Sequence, residues 1–561
     1  MRILFTISLF FFTFNLFAQG TYVPLNTDSY HHIDRLDIKY GKVLPIPHTS
    51  VKPYNRKALG EYAESMYNSN INFSSQDTFN VKYLLNDNPE WTDSFNYEKK
   101  PLWKIFYPER ASMLRFENEK FLVRVNPVLH FDLGQEFDDQ FLFTNTRGFE
   151  LRTTIGKKLS FYTYLGENQV RFLSYIRNER INRNYQHIPG DGYYKEFRET
   201  ANDFFTARGY MTFNVIDHLD FQFGYDKNFI GNGIRSLFLS DNANAYLFLK
   251  MNIKVWRLNF QSIFTELVGQ YDRGADRLLD KKYAVFHHLN YNVTNWLDIG
   301  IFESVVFSRS NHFELHYLNP VIFWRSIEQD LGSPDNVFVG LDYKANAASS
   351  LSFYGQLLIS EFNFANIRAR NGWWANKIAV QQGVKYIDVA GIDNLDLQVE
   401  YNSARPYIYA HNENTRNPQA QLANYTHYNQ ELAHPFGANF REFLAIVRYR
   451  VKGLPQLTFQ LDYMNSLAGK DTSGTHWGGD IFQSTTARTV EQEFDNKLGQ
   501  GNRQVVNFFN FMASYQFWHN MYADFSVGVR NMNADVESQN SSSVWFGVGL
   551  RMNTAMRKNM Y

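Results

Sequence analysis

Residues 206–226, TARGYMTFNVIDHLDFQFGYD, alternate in character. Ala207, Gly209, Met211, Phe213 and Val215 are small or apolar, while Arg208, Tyr210, Thr212 and Asn214 are mostly polar. Past Ile216, Asp217 and His218, the apolar residues are Leu219, Phe221, Phe223 and Tyr225, with Asp220, Gln222, Gly224 and Asp226 between them. A period of two puts one oily face and one wet face on a strand. Each arm runs for about ten residues, the length a tilted strand needs to cross a bilayer. A soluble sandwich also alternates, but it needs no run of such hairpins with aromatic outer faces.

The rest of the chain repeats the pattern. Candidate strands are 121–132, 147–156, 159–166, 206–215, 219–226, 245–255, 258–265, 283–293, 297–307, 337–347, 351–360, 378–388, 395–401, 441–451, 457–464, 505–515, 522–530 and 544–552. Short joints such as Trp256-Arg257 alternate with long ones such as 167–205, 308–336 and 402–440. Short turns on one side and long loops on the other predict an all-β fold: a transmembrane antiparallel β-barrel of about 18 strands. The last strand, 544–552, must pair with the first to remove the open edge.

Composition agrees. Of 561 residues, 51 are Phe and 35 Tyr, yet mean hydropathy is −0.42. Helical membrane proteins show long apolar runs; an alternating barrel does not, because half of every strand is polar. Lys plus Arg and Asp plus Glu both number 56, and no basic block stands out, which argues against a nucleic-acid partner. There is no Cys, which excludes a disulfide scaffold or a thiolate metal site.

Four regions are expected. Residues 1–18, with Arg2, an apolar run and Ala18, read as a cleaved export signal. Residues 19–110 do not alternate; they read as a small, partly helical periplasmic segment packed beneath or into the barrel mouth. The barrel takes 111–553, and 554–561 is a short polar tail.

Three loop regions are dense in Gly, Asn, Pro and charge. In 226–241, Asn232 lies between two glycines, and Arg235 follows. In 318–342, Asn319, Asp335 and Asn336 mark turns, and Arg325 and Glu328 are spaced for one helical face. That loop is expected to fold into or over the lumen as a plug. In 425–442, His427, His434, Arg441 and Glu442 are the ionisable groups. Such residues either lock loops by hydrogen bonds or contact a ligand. Trp373 and Trp374 suit stacking on a sugar, or an interfacial aromatic girdle. His31 and His32 lack metal-ligand spacing, and no zinc pattern, nucleotide fingerprint or nucleophile elbow occurs. No metal, cofactor or catalytic residue is expected, and the chain does not read as an enzyme.

DKNFIGNGIRSLFLSDNAN, YLNPVIFWRSIEQDLGSPDNVFVGLDYK and NYTHYNQELAHPFGANFRE, with YVPLNTDSYHHIDRLDIKYG near the start, resemble the Wzi-type capsule-assembly outer-membrane family. The likeness is to its Bacteroidetes branch, which includes the gliding-motility protein RemB. GSPDN and HPFGANFRE are the more specific motifs. The resemblance implies a barrel of about 18 strands and offers no catalytic residues. It also implies either a role in cell-surface motility, the principal expectation, or attachment of capsular or exopolysaccharide, the alternative. A diffusion porin is a further reading. The expected partners are outer-membrane lipid, with surface polysaccharide or motility-machinery proteins.

Overall fold

A computed structural model describes residues 20–561 apart from 45, 47, 93–105, 157–158, 185, 217, 271–277, 310–311, 321–322, 333–334 and 413–421. The expected export signal, and Ser333 and Pro334 of the GSPDN motif, lie outside the described residues. Among the described residues no helix is long and apolar enough to cross a membrane.

The strands close into an antiparallel barrel of 18. They are β1 Phe121–Glu136, β2 Phe141–Ile155, β3 Leu159–Arg171, β4 Ala201–Ile216, β5 Leu219–Asp226, β6 Tyr246–Val255, β7 Leu258–Val268, β8 Lys281–Thr294 and β9 Leu297–Phe307. They continue with β10 Asn336–Ala347, β11 Leu351–Glu361, β12 Lys377–Tyr386, β13 Leu395–Ala404, β14 Phe440–Arg450, β15 Leu457–Lys470, β16 Asn502–Trp518, β17 Met521–Ala534 and β18 Ser541–Met552. Closure runs from Trp545 opposite Glu136 to Met552 opposite Leu129. The 18 alternating segments of the sequence each fall on one of these strands. Several strands run further toward the long loops than alternation alone shows; β4 begins at Ala201 and β15 ends at Lys470.

The founding hairpin has the expected phase. Thr212 and Gln222 are buried inward. Phe213 and Phe221 point outward and stack with ring centroids 5.4 Å apart. The outward faces elsewhere are a band of exposed apolar side chains, Leu133, Phe223, Ile301, Leu341, Phe509 and Val548 among them, as lipid contact requires.

The lumen is filled from both ends. At the short-turn end sit α1 Asp28–Tyr40, α2 Arg56–Tyr67 and α3 Ser75–Asp87. Asn55 and Ser74 cap α2 and α3 by accepting from Ala58 N and Asp77 N. The helices share a small core of Ile33, Leu36, Leu59, Met66, Val81 and Leu84. Arg35 fixes this bundle to the wall. Its guanidinium donates to Asp77, Asp388 and Asp396, each at 2.7 Å. Lys344 Nζ donates to Asp37 at 2.5 Å. Higher up, Val51–Lys52 pairs with Phe229–Ile230, so the N-terminal segment and the β5–β6 loop meet as a ribbon.

The last nine residues are not a free tail. β18 ends at the short-turn end, where Met552 lies opposite Met521. The chain then turns inward and runs back up the lumen. Arg557 reaches Asp191 at 3.0 Å, and Tyr175 OH donates to Asn559 O at 2.5 Å.

The loop between β9 and β10 corrects an expectation. Its described residues do not enter the lumen; they lie on the outer wall. Along β9, Phe302 and Val306 belong to the interior core, whereas Val305 and Phe307 point outward and pack with Tyr283, Val285, Val337, Tyr317 and Trp324. Tyr317 and Trp324 are the loop's own large apolar groups, and the outward strand faces give them their burial. The short helix α4, Trp324–Asp330, begins over Glu303, which accepts from Trp324 N at 2.7 Å and Arg325 N at 3.2 Å. The Arg325–Glu328 pair expected within this loop is present at 3.3 Å, with Arg325 exposed and Glu328 buried.

Candidate functional site

Two buried carboxylates from adjacent strands organise the middle of the lumen. Glu400 of β13 accepts from Ile234 N at 2.6 Å, Arg235 N at 3.0 Å and Tyr354 OH at 2.9 Å. Glu442 of β14 accepts from Arg235 Nη2 at 3.1 Å, His434 Nε2 at 2.8 Å and Asn402 Nδ2 at 3.1 Å. Charged groups this deep are tolerated only when paired and hydrogen-bonded. Arg235 also donates to Met560 O at 2.7 Å. One guanidinium thus ties the β5–β6 loop, strand β14 and the carboxyl-terminal tail together.

Both loop histidines are neutral, and His434 belongs to this lock. His434 Nδ1 accepts from Phe436 N at 3.2 Å, so its proton is on Nε2, toward Glu442. Burial lowers its pKa, and Glu442 offsets that in part. His427 Nδ1 accepts from Val268 N at 3.0 Å and Nε2 faces Ala245 O at 3.0 Å. Burial pushes its pKa down to about 3. Asn232 accepts from Thr49 Oγ1 at 3.0 Å, and Asn336 donates to Ala423 O at 3.1 Å.

The remaining candidates lie elsewhere. Asp335 takes both ends of the Arg309 guanidinium at 2.7 Å and Tyr317 OH at 2.6 Å, at the root of the outer-wall loop. Asn319 gives its carbonyl to Trp324 Nε1 at 3.2 Å in the same loop. Trp373 donates to Glu493 at 2.9 Å, and the Arg488 guanidinium lies 3.7 Å over the Trp374 ring. Those two indoles therefore join the loops that follow β11 and β15. Arg441, beside Glu442 in sequence, is exposed on the opposite face of β14.

Above the lock, at the long-loop end, is a cleft of about 660 Å³. Its lining includes Tyr175, Arg180, Lys470, Phe482, Arg530 and Tyr561. Tyr561, the last residue, forms its floor: Arg530 Nε donates to Tyr561 O at 3.1 Å, and the Arg180 guanidinium stands 5.2 Å over the Tyr561 ring. Arg530 lies 4.3 Å over the Tyr175 ring and 3.3 Å from Glu179. Aromatic faces beside guanidinium forks, amides and hydroxyls make a surface suited to a polyhydroxylated ligand. None of these six residues stands out in the sequence, because they come from five separate segments. The aromatic end of a basic tail is the one local signal.

No family model and no curated protein matches the chain. Among solved structures, it is similar in fold to Wzi, an outer membrane protein involved in group 1 capsule assembly in Escherichia coli and described as a carbohydrate binding β-barrel. That match has a TM-score of 0.56 at 10% identity and covers 96% of this chain and 100% of Wzi. Two Pseudomonas aeruginosa barrels match more distantly. OpdK with vanillate has a TM-score of 0.43 at 9% identity, covering 77% of this chain and 98% of that one. OprD has a TM-score of 0.40 at 12% identity, covering 76% and 94%. The shared feature is the closed antiparallel barrel.

Proposed function

We propose that this chain is an outer-membrane protein that binds surface polysaccharide through the cleft floored by Tyr561. The observation that carries the reading is a filled barrel with a polar–aromatic cleft at its long-loop end. Arg235, the N-terminal bundle and the inward tail occupy the space a diffusion pore would keep open, while the cleft is placed for a ligand outside the cell. In this reading the short turns face the periplasm and the long loops the exterior. The similarity to a barrel described as carbohydrate binding supports polysaccharide attachment over cell-surface motility, so the polysaccharide reading becomes the principal one. The RemB-type motility role, with motility-machinery partners, is the second outcome of the test below.

Purified protein in detergent should bind polysaccharide isolated from its own cell surface in a biolayer assay. Phe482→Ala should weaken that binding at least tenfold by removing a half-buried ring at the cleft. Unaltered binding in Phe482→Ala and in Lys470→Ala would remove the cleft from consideration. A deletion strain that keeps its polysaccharide layer but loses spreading would transfer the function to motility.

A further inference from the structure

Ser262, His287 and Glu303 stand side by side on the outer wall, on β7, β8 and β9. Strand pairing sets Ser262 opposite His287 and His287 opposite Glu303. All three face away from the lumen, because their sequence neighbours Ile263, Phe286 and Phe302 belong to the interior core. Side chains directly opposed on neighbouring strands have Cβ atoms roughly 4.5–5.5 Å apart, within reach of a serine–imidazole hydrogen bond. On its other side, His287 Nδ1 lies 3.8 Å from Glu303 Oε2. That distance is long, and such bonds tighten when a substrate is seated.

The polar atoms of this row are unusual for an outer face. Ser262, His287 and Glu303 are exposed by only 0%, 7% and 5%. Ser262 Oγ and His287 Nε2 have no hydrogen-bond partner among the described residues. Two such atoms on paired residues offer a hydroxyl and an imidazole nitrogen to a ligand. The ring of Trp324 covers the histidine, stacked on His287 at 3.3 Å between centroids. One row closer to the short turns, Leu289, Ile301 and Leu341 form open apolar wall. The covering loop exposes Leu315, Leu318 and Phe323 nearby.

We propose that this row is a serine esterase site for acyl esters of a membrane lipid, held closed by Trp324. The arrangement puts histidine between a hydroxyl and a carboxylate, the order that a nucleophile, its base and an orienting acid require. The acyl chain lies along the Ile301 row and presents its ester to Ser262. Ser262 Oγ attacks the acyl carbon as its proton passes to His287 Nε2. The ester C–O bond breaks, and the lipid alcohol leaves with that proton. Water then gives one proton to His287 while its oxygen bonds the acyl carbon. The Ser262–acyl bond breaks, Ser262 recovers the proton, and the fatty acid departs. Glu303 is a positioning residue that keeps the other imidazole proton on Nδ1. Three residues on three strands make no local motif, which is why an absence of catalytic motifs in the sequence does not speak to them.

The site shares no residue with the polysaccharide cleft, so the two readings stand or fall separately. Full-length protein in detergent micelles is treated with a fluorophosphonate probe and mapped by peptide mass spectrometry. Trp324→Ala should gain labelling at Ser262 at least tenfold over the natural protein, and Trp324→Ala with Ser262→Ala should show none. Adding Glu303→Gln to Trp324→Ala should slow labelling at least tenfold without changing the heat-modifiable mobility of the folded barrel. Trp324→Leu replaces Trp324→Ala if the alanine variant does not fold. Mixed micelles of phosphatidylethanolamine or of lipid A then identify which lipid loses a chain. A folded, opened variant with no label on Ser262 overturns the proposal, and so does a labelled one that releases fatty acid from neither lipid.

Discussion

The guanidinium of Arg235 holds the backbone carbonyl of Met560 at 2.7 Å, across 325 positions of sequence. A loop residue near the barrel centre thereby fixes the next-to-last residue of the chain. The same contact separates the filled lumen below from the cleft above, whose floor is Tyr561. Sealing the barrel and shaping the cleft are one structural event.

Truncation after Thr554 should undo both. It removes Arg557 from Asp191, Met560 O from Arg235 and Tyr561 from beneath Arg180. Single-channel conductance in planar bilayers should rise from near zero to a measurable step, and polysaccharide binding should fall at least tenfold. A truncated barrel that stays silent and keeps full affinity would show that the tail only accompanies the other plugs.

Arg235→Met should be more damaging than its size suggests. It leaves Glu442 buried beside a neutral His434 with no cation in contact. Removing one partner of a buried, hydrogen-bonded pair costs about 3–5 kcal/mol. Arg235→Met with Glu442→Gln should recover much of that loss, since no unpaired charge remains. Urea unfolding in detergent, read by the shift in heat-modifiable mobility, would measure both.

The strands were legible in the sequence because lipid and lumen enforce a period of two at nearly every barrel residue. The Met211, Phe213 and Phe221 face, opposed by Thr212 and Gln222, follows from that alone. Helices were legible only as a partly helical stretch within residues 19–110, since α1–α3 pack on polar barrel walls as well as on one another. The outer-wall loop was misplaced for a physical reason. Arg325, Glu328 and Asp335 look too polar for a lipid-side position, but Glu328 and Asp335 are internally paired, and it is Trp324 and Tyr317 that choose the surface. His434, Glu442 and Arg235 were recognisable as ionisable loop groups. That they meet one another, and meet Met560, depends on how loops cross inside a closed barrel, which no local pattern encodes.

Acid should loosen the plug. Asp28 and Asp241 are half-buried, and desolvation alone would raise their pKa. Arg551, His32, Arg450 and Arg448 around Asp28, and Lys558, Lys227 and Asn26 around Asp241, outweigh burial and bring both down to about 2. A carboxylate with a depressed folded pKa adds stability that is complete above its unfolded value, here 3.8. That stability is lost as pH falls through the folded value. The contacts from Asp241 to Asn26 at 2.5 Å and to Lys558 should therefore hold at pH 5 and weaken between about pH 4 and 2. Conductance recorded at pH 7, 4 and 2.5 should rise only at the lowest value. Asp241→Asn should conduct already at pH 7, and a flat acid response in the natural protein would refute the assignment.

The outer-wall loop should matter to the wall and not to the lumen. Ile301 and Glu303 are two residues apart on the same face of β9; Ile301 is half exposed to lipid and Glu303 is covered by Trp324. A charge on an open lipid face near mid-membrane costs about 2–4 kcal/mol, so Ile301→Arg should destabilise refolding into lipid vesicles by that amount. Replacing residues 312–332 by a short glycine–serine linker uncovers Glu303 and His287 to lipid. Its cost in vesicles should be of the same order, and Glu303→Leu in the shortened protein should restore most of it, because the exposed carboxylate is then gone. Conductance should not change in either variant, since the loop takes no part in filling the barrel. A conductance step on shortening the loop would instead return it to the lumen mouth and would remove the reason for a buried glutamate on the outer face.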